Sequence, residues 1–133
     1  MDRFIGVWWS SNEGDVLPAG DGATGYKAIA LHNTGTDFEI YKDLEKHVIS
    51  KGLAAGTGDH IGEVLYNRGF MQGALVVEAA RTAQKIHGVS NITPSMMRDG
   101  MEALKIDQAR WAQTGLANYA ADINVTCENH GGP

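Results

Sequence analysis

The chain contains little that could crosslink it, anchor it in a membrane or direct its export. Cys127 is its single cysteine among 133 residues, so neither an internal disulfide nor a multi-cysteine metal site can form. No apolar run reaches the roughly 18 residues that a membrane-spanning helix needs. The opening segment MDRFIGVWW has too short an apolar run for a signal peptide, and no small-residue cleavage site follows it. From these features we expect no transmembrane segment and no export signal within the chain.

Positive charge is also scarce and scattered. The chain carries 11 Lys and Arg against 16 Asp and Glu, which gives a formal net charge of −5. Binding to a phosphate backbone needs clustered cations, so nucleic acid is not an expected partner. The five histidines lack HExxH spacing, and no P-loop or dinucleotide fingerprint is present. The sequence therefore predicts no metal and no cofactor.

The most regular stretch is Asp59–Gly88, which is free of proline and repeats apolar residues at steps of three and four. This periodicity predicts one long helix, or two helices that meet near Tyr66. The first aspartate is a candidate cap, and the final glycine is a typical stop. Gly69 and Gly73 lie one turn apart within it. Because glycine destabilises a helix interior, this pair predicts the close approach of another backbone.

The other segments predict strands first and helices later. Phe4–Trp9 and Tyr26–His32 are apolar runs typical of strands, and a loop of polar and glycine residues separates them. Further predicted elements are a helix from a cap at Thr36 or Asp37 to Gly52, a helix with Thr93 as cap and Pro94 in first position, a helical start to Asp107–Tyr119, and a last strand at Ile123–Thr126.

Together these elements predict a single α/β domain over residues 1–133, with few strands and three to four helices. Two or three strands make a thin sheet with exposed edges, and such edges favour pairing with another chain. The pattern therefore indicates either a partner chain or membership of a larger fold.

Five segments, in this order, carry a resemblance to a known family: FIGVWWS, GYKAIALHNTGTDFEIYKDL, GEVLYNRGFMQGALVVEAARTAQ, ITPSMMRDGMEAL and VTCENHGGP. They are similar to the C-terminal half of the type I periplasmic solute-binding proteins of ABC transporters, the branched-chain amino acid and amide group. The resemblance implies a partial lobe of that α/β fold and no catalysis. For the complete protein it implies a periplasmic location, an ABC permease as partner, and an amino acid or related small polar solute as ligand. Because the N-terminal lobe is missing, weak or absent binding is expected of this chain alone.

The same resemblance points to ligand-binding residues, since the loop after the first strand and the start of the long helix lie near the family's cleft. The candidates are Trp8, Trp9, Ser10, Glu13, Tyr66 and Asn67. An aromatic wall and a carboxylate in the first group would suit a ligand ammonium, and Tyr66 would stack on the solute or hydrogen-bond to it. The alternative is that both Trp serve packing, that Glu13 is a solvated charge and that Tyr66 is buried. Arg68 is expected at the surface near Glu63 rather than in a cleft.

Two further functions stay open. The unfinished sheet and the apolar helix faces would suit a self-associating interaction module, most simply a homodimer. A small hydrolase built on Cys127 and His130 is the weaker alternative, because no other activating partner can be named for the thiol. The chain is not expected to be an enzyme.

Overall fold

The structure, a computed structural model, describes residues 3–129, and these residues are mostly helical. The α-helices are α1 (Glu13–Val16), α2 (Glu39–Leu44), α3 (Val64–His87), α4 (Pro94–Glu102) and α5 (Gln108–Gln113). Two 3₁₀ segments (Trp8–Ser10 and Leu17–Ala23) and one π-helical turn (Glu45–Ile49) lie between them. The strands are β1 (Ile5–Gly6), β2 (Lys27–Ala28), β3 (Lys105–Ile106) and β4 (Ile123–Asn124).

The predicted α/β lobe is wrong, because the strands of residues 3–129 form two separate pairs rather than one sheet layer. β1 pairs with β2 in parallel, and β3 pairs with β4 in antiparallel fashion. The first apolar run ends as a strand where the 3₁₀ segment begins, and there the Ser10 hydroxyl donates to the Val7 carbonyl at 2.8 Å. A β-prone sequence forms a long strand only where neighbouring strands and packing support it. The two runs pair with each other over two residues, Ile5 with Lys27 and Gly6 with Ala28.

The chain divides into two compact units, with the boundary between Arg68 and Gly69. Unit 1 lies before this boundary and unit 2 after it, and each is described by itself. These units are groups of residues that contact one another more than they contact the rest of the chain. The prediction of a single domain over residues 1–133 is not tested by this division.

The long helix α3 begins at Val64 rather than at Asp59. Gly62 has a φ of +91°, in the left-handed region, and a right-handed helix cannot continue through such a residue. At the other end Gly88 has a φ of +66° and ends the helix as predicted. The helix is continuous through Tyr66, so the alternative of two helices is wrong.

The N-termini of α4 and α5 lie where capping residues occur in the sequence. Thr93 caps α4, and its hydroxyl oxygen accepts from the Met96 amide at 3.3 Å. Asp107 caps α5 in the same way, accepting from the Arg110 amide at 2.7 Å. Helix α2 begins later than predicted. Its cap position is Phe38, which has no side-chain acceptor, and not Thr36 or Asp37.

Unit 2 has an apolar core centred on Trp111 of α5. This indole is fully buried, its Nε1 donates to the Ala121 carbonyl at 3.1 Å, and its ring centroid lies 6.4 Å from that of Tyr119. A buried aromatic with a satisfied polar group stabilises a fold strongly. The other buried apolar side chains of unit 2 are Met71, Ala79, Ala83, Leu104, Ile106 and Leu116.

The glycine that allows close helix packing is Gly100 of α4, and the sequence did not single it out. A Cβ there would overlap the Ala79 carbonyl oxygen and the Ala83 side chain of α3. At Gly69 and Gly73 a Cβ would meet no described atom within 4 Å. The prediction of a backbone contact at that pair is therefore wrong, and the contact lies one helix further along the chain.

Unit 1 buries mainly polar side chains. Its buried residues are Tyr41, Val64, His32, Asn67 and Arg68. Its large apolar side chains lie largely at the surface, namely Phe4, Ile5, Val7, Trp9, Leu17, Ile29, Leu31, Leu53 and Leu65. Hydrogen bonds and a cation–aromatic contact therefore hold the centre of this unit, more than apolar packing does.

Candidate functional site

The centre of unit 1 is a cluster of one arginine and two tryptophans. Arg68 projects from the second turn of α3 and is only 4% exposed. Its Cζ lies 4.6 Å from the ring centroid of Trp8 and 4.9 Å from that of Trp9. The two ring centroids are 4.7 Å apart, and Nη2 of Arg68 donates to the Trp8 carbonyl. A desolvated guanidinium over an aromatic face is a favourable cation–π arrangement.

Arg68 is only partly satisfied in this position. Its Nε and Nη1 atoms are buried and have no hydrogen-bond partner within the described part of the chain. Unpaired buried donors are rare in proteins, and each needs a reason. The expected surface pairing with Glu63 is wrong, because Glu63 instead accepts from His60 Nδ1 at 2.9 Å.

Glu13 lies at the N-terminus of α3. Its two carboxylate oxygens are 3.2 and 3.1 Å from the Val64 amide nitrogen, which donates to them. A carboxylate at this end satisfies a free helix amide and complements the helix dipole. This contact joins residues 51 positions apart, so Glu13 stabilises the fold whatever else it contacts.

Ser10 points to a different neighbour. Its hydroxyl lies 2.7 Å from the Tyr26 hydroxyl, and Tyr26 also donates to the Ser10 carbonyl at 3.0 Å. The pair borders a cavity of about 170 Å³ that is also lined by Asp15, Val16, Ala19 and Ala23. The phenol occupies the space beside Gly6, where a Cβ would overlap it.

Asn67 crosslinks three segments of unit 1. Its Nδ2 donates to the carbonyls of Asn33 and Gly35 at 3.1 and 3.0 Å, and its Oδ1 accepts from the Tyr41 hydroxyl. The side chain is fully buried, so these bonds define a structural role. Tyr66 is half-buried beside it, with its ring centroid 6.3 Å from that of Tyr41.

The structure thus brings the predicted residues together in part. Trp8 and Trp9 enclose Arg68, and Glu13 lies one helical turn before it at Val64. Tyr66 and Asn67 precede Arg68 on α3, whereas Ser10 turns to Tyr26. Whether a ligand contacts these residues stays a prediction.

Sequence reasoning missed the central role of Arg68. A signal was present, because Val64 and Arg68 are four residues apart and therefore share one face of the helix. The aromatic wall that was expected to receive a ligand ammonium contains this protein's own guanidinium.

Other predicted chemistry finds no geometry in the described residues. Within residues 3–129 no group of three or more His, Cys, Asp or Glu could hold a metal ion. Cys127 is exposed, and His130, its predicted partner, lies outside the described residues. Among the helices of the described residues, none combines the length and the apolar character that crossing a membrane requires.

Comparison with known proteins gives one informative result. No family model matches the chain, and no curated protein matches it. It is similar to a crystal structure described as an ABC transporter permease from the Pseudomonas fluorescens group, with a TM-score of 0.90 and 37% sequence identity. The match covers 98% of this chain and 32% of that one, so this chain spans about a third of the matched protein.

This match corrects the earlier identification. The assignment to the C-terminal portion of a periplasmic solute-binding protein is contradicted, because the matched structure is described as a permease. The predicted function as a piece of an amino-acid receptor and the periplasmic location followed from the same resemblance, and both are contradicted with it. The chain thus resembles a solved structure that is described as an ABC transporter permease.

Proposed function

We propose that this chain acts in an ABC transport system, as part of a protein similar to the matched permease. The observation that carries the proposal is the agreement of backbone and sequence over almost the whole chain, at a TM-score of 0.90 and 37% identity. A shared backbone alone does not define a function, and the sequence identity strengthens the inference. The proposed role is non-catalytic.

Within that system, we propose that the Arg68 cluster and the adjacent start of α3 contact the transported solute, a small polar molecule such as an amino acid. The proposed site residues are Trp8, Trp9, Ser10, Glu13, Tyr66 and Asn67. Asn67 is fully buried, so its part in the site is to hold the start of α3 in place. The support is the unfilled hydrogen-bonding capacity of Arg68, whose Nε and Nη1 lack partners in the described residues. A guanidinium with free donors is suited to a carboxylate. Trp9 covers one face of it and is 59% exposed, so a shift of this ring would open the cation to a solute.

The test is solute uptake in the native host. A strain that lacks the coding region is compared with its parent across a panel of radiolabelled amino acids, amides and sugars. We expect a loss of energy-dependent uptake for one solute class, restored when the wild-type sequence is returned. Unchanged uptake across the panel would contradict the role in transport.

Variants in the restored strain test the site separately. Trp9→Ala is expected to raise the half-saturating solute concentration about tenfold, as the loss of an aromatic contact with a ligand often does. The matched control is Leu53→Ala, which removes an exposed apolar side chain outside the cluster. If both variants restore transport equally, the site is wrong even though the transport role holds.

A homodimer is a second candidate, supported by the surface of the first strands. The exposed apolar side chains there are Phe4, Ile5, Val7, Ile29 and Leu31. A parallel strand pair is usually covered on both faces, and open strand edges favour pairing with another chain. Light scattering across a concentration series should then give twice the chain mass. A constant monomer mass at the highest concentration would rule the dimer out.

A further inference from the structure

Unit 2 contains a cavity that none of the functions above uses. It measures about 620 Å³, within the usual range of small-molecule sites. Side chains from three elements line it: Glu78, Arg81 and Lys85 from α3, Lys105 from β3 and Arg110 from α5. We call this cavity the basic cleft.

The basic cleft concentrates positive charge in an acidic protein. Four of the 11 basic residues line it, and Glu78 is the only carboxylate among its lining residues. The whole chain carries a net charge of −5, so this local excess runs against the composition. Cavities lined by one sign of charge focus the potential and attract the opposite ion.

Glu78 holds one cation rigidly and leaves the others available. Its carboxylate oxygens accept from Nε and Nη2 of Arg110 at 2.7 and 2.6 Å, in a bidentate pair. This hydrogen bond raises the pKa of Arg110, so the guanidinium stays charged. The Gln113 side chain accepts from Nη1 at 3.0 Å and fixes the same group from another side.

The remaining cations have little carboxylate contact. Arg81 Nε is 3.8 Å from Glu78 Oε1, and its side chain is 62% exposed. Lys85 and Lys105 are exposed and have no ion pair among residues 3–129. The cleft therefore offers one arginine held by Glu78 and three exposed cations, and its one carboxylate is already paired.

We propose that the basic cleft binds a phosphate group, carried either by a small molecule or by a lipid headgroup. A phosphate monoester bears a charge of about −1.5 to −2 and has three acceptor oxygens, which match several cations better than one carboxylate does. The planar fork of arginine and the point charges of lysine are the usual phosphate contacts. The Thr82 hydroxyl also lines the cleft and adds a neutral donor.

The test uses the intact chain and two double variants of equal charge. Lys85→Gln with Lys105→Gln removes the two unpaired cations and leaves the Glu78–Arg110 pair in place. The control is Lys27→Gln with Lys51→Gln, a pair of exposed lysines in unit 1. Circular dichroism verifies that both variants fold.

One arm measures calorimetric binding of inorganic pyrophosphate, with citrate as a carboxylate comparison. The other measures co-sedimentation with phosphatidylcholine vesicles, with and without phosphatidic acid. We expect the cleft variant to weaken phosphate binding about tenfold and the control to change it about twofold or less, because Lys85 and Lys105 line the cavity and the two control lysines do not.

If the cleft variant weakens pyrophosphate binding and the control does not, the ligand is a free phosphate compound. If the same difference appears only with vesicles that contain phosphatidic acid, the ligand is a lipid headgroup. The proposal is overturned if neither arm shows binding, if both double variants weaken it equally, or if citrate binds as tightly as pyrophosphate.

Discussion

Unit 1 and unit 2 differ in what they bury. The centre of unit 2 is apolar, with Trp111, Leu104 and Leu116 almost completely buried. The centre of unit 1 consists largely of Asn67, Arg68 and the hydrogen bonds around them. An apolar core gains free energy from every methylene removed from water, whereas a polar centre gains it only while each group stays paired. We therefore expect unit 2 to tolerate polar changes at its surface and unit 1 to respond sharply to the loss of single partners.

The largest expected effect is the loss of Trp111. Trp111→Ala would remove a fully buried indole and leave a cavity, which should lower the free energy of unfolding by about 3–5 kcal/mol. The matched variant in unit 1 is Trp9→Ala, expected to lower it by about 1 kcal/mol or less because the ring is mostly exposed. Urea titration followed by circular dichroism measures both. Equal losses would remove the contrast between the two units.

The buried Arg68 and the partly buried Arg110 give the next comparison. Arg110→Met would leave the nearly buried carboxylate of Glu78 without its bidentate partner, which should lower the free energy of unfolding by about 3 kcal/mol. Arg68→Met removes a buried cation that has no carboxylate partner among the described residues, so the change should be about 1 kcal/mol or less, or stabilising.

The same denaturation experiment decides between these two arginines. A strong loss of stability in Arg68→Met would show that its contacts with Trp8 and Trp9 outweigh its unpaired donors. Unit 1 would then depend on a cation–aromatic core.

The smallest expected effect is at the helix cap in unit 1. Glu13→Ala leaves the Val64 amide without its carboxylate acceptor and should lower the free energy of unfolding by about 1 kcal/mol. Hydrogen exchange should accelerate at the first turn of α3. The control Asp43→Ala removes an exposed carboxylate from α2 and should leave that turn unchanged. The same exchange rates in both variants would show that Glu13 does not cap the helix in solution.

The parts of the fold that the sequence predicted are those set by near neighbours. The cap at Thr93 and the stop at Gly88 each depend on a few adjacent residues, and the structure confirms them. The last strand is also confirmed, at Ile123–Asn124, although its partner β3 lies earlier in the chain. The sheet depended on partners elsewhere in the chain. The apolar runs at Phe4–Trp9 and Tyr26–His32 pair with each other over two residues, so they form short strands in a mainly helical fold.

The candidate site shows the same limit. Arg68 and Trp8 are 60 residues apart in sequence, and no local pattern joins them. The expectation that Arg68 lies at the surface near Glu63 followed the usual exposure of arginine, but burial against aromatic rings decided its position. Gly100 was missed for the same reason. A side chain is excluded there only because the backbone of α3 lies opposite it, at Ala79 and Ala83.

The contact between Glu13 and Val64 also bears on how the chain folds during synthesis. At about 5–20 residues per second, the 51 residues from Gly14 to Val64 take roughly 3–10 s to make. Helices form in about a microsecond, so the acidic segment is available long before the first turn of α3 is translated. The long helix is therefore expected to form against a segment already present, and its nascent N-terminus needs no temporary partner.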